Sequence, residues 1–297
     1  MGIYSRRLTE DLKGVTQGDY KLNPIVNTPE INTSDPMFGE ILNANFGHYM
    51  AMEFTSGVTR QQVERAIQKC QTKGLSDAKA TLQAALFRAE QRAVVDSLNV
   101  EESDRYRSRN NSTFCNIYAY DHVTTMGGYL PRVWWVNPNA ALNGESEASE
   151  KVKELSANAL HDWFQDYSHH YGWEAVSKEG ASPQELIDQA QQSANQGRLV
   201  VLVAESAAGK SGHISIITSE HEQAKAERDE SGMVINPLES QAGWFANYDT
   251  GAVKARDANG RSVPWYETNQ RYKNAVAYVL KVPHQSKMLT PEEAGLV

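Results

Sequence analysis

Cys115, His213 and the polar pair Glu239 and Gln241 are the residues of this chain whose types and spacing suit covalent chemistry. A thiolate is a nucleophile, an imidazole within reach can take the thiol proton, and a third polar group can fix that imidazole's tautomer and aim. Cys115 lies in "NSTFCNIYAYDHV", where Ser112 or Thr113 can cap a helix whose first turn would hold the thiol, with Tyr118, Ala119 and His122 following on one face. The unpaired amides and positive dipole end there favour the thiolate. His213 opens the apolar "GHISIIT", which has the pattern of an inner strand. On the next strand, "NPLESQAGW", Glu239 and Gln241 share a face at alternate positions, and either can accept from one imidazole nitrogen so that the other faces sulfur. Asn236 and Asn247 are weaker alternatives for that role.

Other chemistries fit less well. Ala204-Glu-Ser-Ala-Ala-Gly-Lys210-Ser211 is one glycine short of a phosphate loop, and "GHISIIT" after it is strand-like where such a loop needs a helix. The expectation is a hairpin with Lys210 in its turn. Two cysteines, Cys70 and Cys115, cannot build a disulfide framework or a thiolate zinc site. His170 and Asp166 are four apart beside His169 and Asp162, yet no third ligand is evident, so neither a metal nor another cofactor is expected. The net charge of −8 leaves no basic stripe for a nucleic acid. No apolar run approaches a membrane span, and the N-terminus lacks a signal-peptide pattern, so synthesis in the cytoplasm is expected.

The positioning elements read as α+β. Residues 1 to 56, with Pro24, Pro29 and Pro36, read as an extended arm. A capping box at Thr59 to Gln62 and an apolar stripe through Val63, Ile67 and Cys70 predict a helix ended by Gly74, and a second from Ser76 to about Leu98. After the polar linker "NGESEASE", Val152, Leu155, Ala159, Trp163 and Tyr167 predict one amphipathic helix, and Ser182-Pro-Gln-Glu185 opens another closed by Gly197. Strands are expected over Arg198–Glu205, Gly212–Thr218, Met233–Leu238 and Tyr272–Val282. The organisation expected is an N-terminal arm and helical hairpin over 1–110, then a hydrolase domain over 111–297 with a helical insertion at about 145–196.

The order of these parts, "TFCNIYAYD" on a helix, then "SGHISIIT" on a strand, then a polar residue on the following strand, resembles the papain-like cell-wall cysteine peptidases of the NlpC-like and CHAP families. Phe114 and Asn116 stand where NlpC-like enzymes usually carry Asp and Ser or Gly. The resemblance implies a papain-like core with an antiparallel sheet and a nucleophile helix, and hydrolysis of amide bonds in peptidoglycan stem peptides. It makes Cys115 the nucleophile, His213 the general base and then acid, and Glu239 or Gln241 the orienting group. Asn116 and Asp121 are candidates for substrate contact, as are Trp134 and Trp135, which could line a groove or pack in the core. A phage lysin or a delivered antibacterial effector, with an immunity or delivery partner, fits the absence of a signal peptide. The alternatives are a cysteine protease, deamidase or acyltransferase acting on proteins, and a non-catalytic binding module with Cys115 as a packing residue.

Overall fold

The computed structural model describes residues 36–110, 112–136, 152–177, 180–206, 211–243, 247–251, 254–256, 262–267 and 272–281. Residues 1–35, the linker at 143–150 and Lys210 lie outside these.

The N-terminal part is a set of packed helices. Helix α1 (Pro36–Glu53) occupies positions expected to be part of an extended arm. Gly39, Asn43, Asn45 and Gly47 weaken its helical pattern, and tertiary packing overrides them. Leu42, Tyr49 and Met50 are buried, and the helix packs on α3. An Arg88–Glu53 fork of 2.9 and 2.7 Å and an Asn45 Nδ2 to Ser97 Oγ bond of 3.0 Å join the two. Helix α2 (Arg60–Thr72) opens with the expected reciprocal Thr59/Gln62 capping box. Helix α3 (Ser76–Leu98) ends at Asn99 in the left-handed conformation.

Helix α4 (Cys115–Thr125) follows, then β1 (Val133–Trp135) paired antiparallel with β2 (Val152–Glu154). Val152, expected to begin a long helix, is therefore in a strand. Helix α5 runs only Ala157–Asp166, because the Ser156 side chain accepts from the Ala159 amide and sets the start there. Strand β3 (Trp173–Ala175) comes next, then α6 (Pro183–Asn195) with the expected Ser182/Glu185 capping box. Gly197 has φ +79°, and a Cβ on it would lie 2.8 Å from Ala84 Cα, so this glycine serves both a turn and a close approach to α3.

Strands β4 (Val200–Ser206) and β5 (His213–Ile217) pair antiparallel, as a hairpin requires and a phosphate loop does not. The strand expected over Met233–Leu238 is two. β6 (Glu227–Arg228) pairs with β7 (Val234–Asn236), while β8 (Leu238–Gln241) joins the central sheet. Pro237 lies between them and has no amide to donate, so one continuous ladder cannot run through it. β9 (Asn247–Gly251), the β10 (Lys254–Arg256) and β11 (Ser262–Pro264) pair, a 3₁₀ turn at Trp265–Glu267 and β12 (Tyr272–Leu280) complete the chain.

The central sheet has the order β3-β12-β4-β5-β8-β9, antiparallel at every pairing. The fold is therefore mixed α+β. Strand β3 is an edge of this sheet, so the segment expected as a helical insertion also contributes a core strand. One sheet face carries Val201, Val203, Ile214, Ile216 and Tyr278 in an apolar cluster with residues of α1, α3, α4 and α5. The other carries Val200, Leu202, Ala204, Ile217 and Val279 beneath Leu186, Ile187, Ala190 and Ala194 of α6. Residues before 110 thus share a core with those after it.

Candidate active site

Cys115 is the first residue of α4, as its sequence context suggests, but neither Ser112 nor Thr113 caps the helix. Phe114 stands at the cap position and makes no side-chain cap bond. Burial acts most strongly on the sulfur, and against it work the nearby backbone amides of Ile214 in β5 and of Asn116 and Cys115 at the helix start. These favour the thiolate. Complete burial outweighs them, and the Cys115 thiol is held above its usual range rather than below it. The side chain is 2 % exposed. At neutral pH the resting site therefore holds a thiol, so a base is needed to make it nucleophilic.

That base can only be placed by register. Residues paired across adjacent strands share a face. Ala204↔His213, Leu202↔Ser215 and Ile217↔Glu239 put His213, Ser215 and Glu239 on the α6 side of the sheet, and Gln241 joins them by its bond to His213. Val203↔Ile214 and Ile216↔Ser240 put Ile214 and Ser240 on the α4 side. Cys115 and His213 thus approach β5 from opposite faces.

They meet a gap in the sheet. Strands β5 and β8 pair only at Ile216↔Ser240 and Ile217↔Glu239, and toward His213 the pairing has ended. Thr218 N–H bonds to Leu238 O at 3.0 Å. Amides of alternate strand residues point the same way, so those of Ile216 and Ile214 also aim toward β8. Beyond the last rung Ile214 has no β8 partner among the described residues, and its amide acts on the Cys115 sulfur to favour the thiolate. The thiol lies on the α4 side near Ile214, the residue next in the chain to His213.

On the other face the imidazole is held by Gln241 and flanked by Trp265. His213 Nε2 is hydrogen-bonded to Gln241 Oε1. A carbonyl oxygen only accepts, so Nε2 is the donor in this bond, and in the neutral ring Nδ1 then holds the lone pair that a general base needs. The Trp265 indole meets the imidazole edge to face, with centroids 4.6 Å apart at 85°, and Tyr272 lies 6.0 Å away. His213 is 7 % exposed.

Glu239, the other candidate for orienting His213, is engaged elsewhere. It accepts from Ser215 Oγ at 2.7 Å and from Trp265 Nε1 at 3.0 and 3.2 Å. The β8–β9 pairing shifts register between Glu239 and Gln241. Glu239 and His213 both contact the Trp265 indole. Asn236 bonds to Glu227 at 3.4 Å, and the side chain of Asn247 lies outside the described residues.

Of the residues expected to touch substrate, Asp121, Trp134 and Trp135 are buried and Asn116 is half-buried. Asn116 Nδ2 donates to Leu155 O at 2.9 Å. Asp121 is buried, forked by Arg105 at 2.6 and 2.9 Å and hydrogen-bonded by Tyr106 Oη at 2.9 Å. Trp134 is buried against Trp163, Tyr167 and Tyr171, with centroids 5.5 to 6.0 Å away, and Trp135 is also buried. Trp265 and Tyr272, which do flank the histidine, carry no sequence signal beyond their aromatic character. Among the described residues no group of three or more His, Cys, Asp or Glu is placed to hold a metal. No described helix is long and apolar enough to cross a membrane. No protein-family model and no curated protein matches the chain.

Proposed function

We propose that the protein is a cysteine-dependent amidase or endopeptidase with a papain-like catalytic arrangement, acting on amide bonds of peptidoglycan stem peptides. The observation that supports this most is the Cys115 sulfur at the Ile214 amide, next in the chain to an imidazole whose Nε2 is held by Gln241. In this reading His213 Nδ1 takes the thiol proton as sulfur attacks the substrate carbonyl, forming a tetrahedral oxyanion. In this reading the amides of Cys115 and Asn116 at the start of α4, which act on the sulfur in the resting protein, donate to that charge. The imidazolium then protonates the leaving amine, and water, activated by the same nitrogen, hydrolyses the thioester to release acid and thiol. The substrate class rests on the order of motifs and their resemblance to the cell-wall peptidases, as does a role as a phage lysin or delivered effector.

One observation favours a second reading. A thiol 2 % exposed, with its acidity reduced by burial, is also what a packing cysteine in a non-catalytic module looks like. Incubating the protein with peptidoglycan fragments and identifying cleaved bonds by mass spectrometry separates the two. The hydrolase reading requires new amine and carboxyl termini that vanish in both Cys115→Ala and His213→Ala. Cleavage that survives either substitution removes the mechanism, and no cleavage by the wild type favours the module.

A further inference from the structure

We propose that Tyr118 is a positioning residue for this site, acting through a buried hydrogen bond to Ser240; the proposal rests on the reading of Cys115 and His213 as a catalytic pair. Tyr118 follows Cys115 by three residues on α4, hence on the same helix face one turn below the thiol. Its hydroxyl is bonded to Ser240 Oγ, and both side chains are completely buried. Ser240 is paired with Ile216 at the last rung before β5 and β8 part. The bond therefore ties the nucleophile helix to β8 at the base of the fork, while the Cys115 sulfur meets β5 above it. Gln241, which holds the imidazole, is the very next residue after Ser240.

Tyr118 is itself braced. The Tyr106 ring meets it edge to face at 5.2 Å, and Tyr106 donates to Asp121, which Arg105 grips. A shift of β8 relative to α4 would move Gln241, and with it the imidazole, away from the sulfur. Misplacement on the order of 1 Å is enough to cost about a hundredfold in rate.

The test uses the full chain with Tyr118→Phe, Ser240→Ala, Ser240→Thr and the Tyr118→Phe/Ser240→Ala double variant. Thermal unfolding establishes which of them fold, and Ser240→Ala carries the test if Tyr118→Phe does not. On a cleaved peptidoglycan fragment, each single loss is expected to lower kcat about ten- to a hundredfold with KM within about twofold. The double variant should fall no further than the worse single, and Ser240→Thr, which keeps a hydroxyl, should recover most of the rate. Unchanged kcat, or losses that multiply in the double variant, would overturn the proposal.

A second readout does not depend on turnover. The rate of iodoacetamide alkylation at Cys115, read by peptide mass spectrometry with Cys70 as internal reference, is measured at pH 7 and at pH 10. Loss of the Tyr118–Ser240 bond should lower the pH 7 to pH 10 ratio about tenfold. A bond that only supports the fold would alter access at both pH values alike, leave the ratio unchanged and sink the positioning role. If the wild-type ratio is itself unaffected by His213→Ala, the catalytic reading fails instead, so the two failures are told apart.

Discussion

His122 makes the stability of the helix that carries Cys115 depend on pH in a way that can be measured. It lies on α4 seven residues after Cys115, is completely buried, and stacks parallel to the Tyr118 ring at 6.1 Å. Neither ring nitrogen has a hydrogen-bond partner among the described residues. Burial alone drives its pKa from the usual 6.5 down to about 3. The unfolded chain therefore binds a proton at this residue between those two values while the folded protein does not. Stability from the neutral ring is fully present above pH 6.5 and is lost as pH falls toward 3. Each pH unit within the interval costs about 1.4 kcal/mol, so between pH 6 and pH 4 the loss is roughly 2 to 3 kcal/mol. Guanidinium unfolding at half-unit steps from pH 7.5 to pH 4, on wild type and His122→Leu, isolates this residue. Any packing change shifts the variant's curve by a constant, whereas the missing imidazole removes slope. Glu220, held down to about 2 by Arg228, Asn195 and the Ala226 amide, loses its contribution only at lower pH and does so equally in both proteins. Wild type should steepen below pH 6 relative to the variant, and parallel curves would refute the claim that a neutral, unsatisfied imidazole is buried here.

Gln241→Ala should leave the His213 Nε2–H buried without its acceptor and cost about 1 to 3 kcal/mol of transition-state stabilisation, a loss of about five- to a hundredfold in kcat/KM. Gln241→Glu, which retains an acceptor, should lose less, and equal losses would contradict the orienting role. Trp265→Phe keeps a ring against His213 but removes the donor to Glu239, so it should lower Tm and kcat while leaving KM near wild type, checked by steady-state kinetics and scanning calorimetry. Gly197→Ala places a Cβ 2.8 Å from Ala84 Cα in a left-handed turn and should destabilise by about 1 to 3 kcal/mol in denaturant unfolding.

Local signals in the sequence located much of this architecture. Thr59 with Gln62 and Ser182 with Glu185 mark helix starts because a cap is a short-range device, complete within four residues. The β-branched runs at Val200–Ser206 and His213–Ile217 show themselves for the same reason. What escaped depends on partners distant in the chain. Helix α1 exists by packing on α3 despite its glycines and asparagines. The Cys115 thiol looked acidified by its helix start, yet burial by residues far along the chain reverses the sign. Glu239 and Gln241 looked equivalent by alternation, and the structure shows Gln241 at the imidazole and Glu239 at the indole of Trp265, a residue distant in the chain. Asp121 offered no hint that Arg105 and Tyr106, in a charged loop, would enclose it.

The account turns on whether the imidazole removes the proton from the sulfur across the fork between β5 and β8. The pH profile of Cys115 alkylation by iodoacetamide, in wild type and His213→Ala, measures this directly. With the pair intact the profile should carry an inflection that His213→Ala removes, and at pH 7 the variant should react about a hundredfold more slowly, following only the raised titration of an isolated buried thiol. Superimposable profiles, both rising only in the alkaline range, would show that thiol and imidazole act independently.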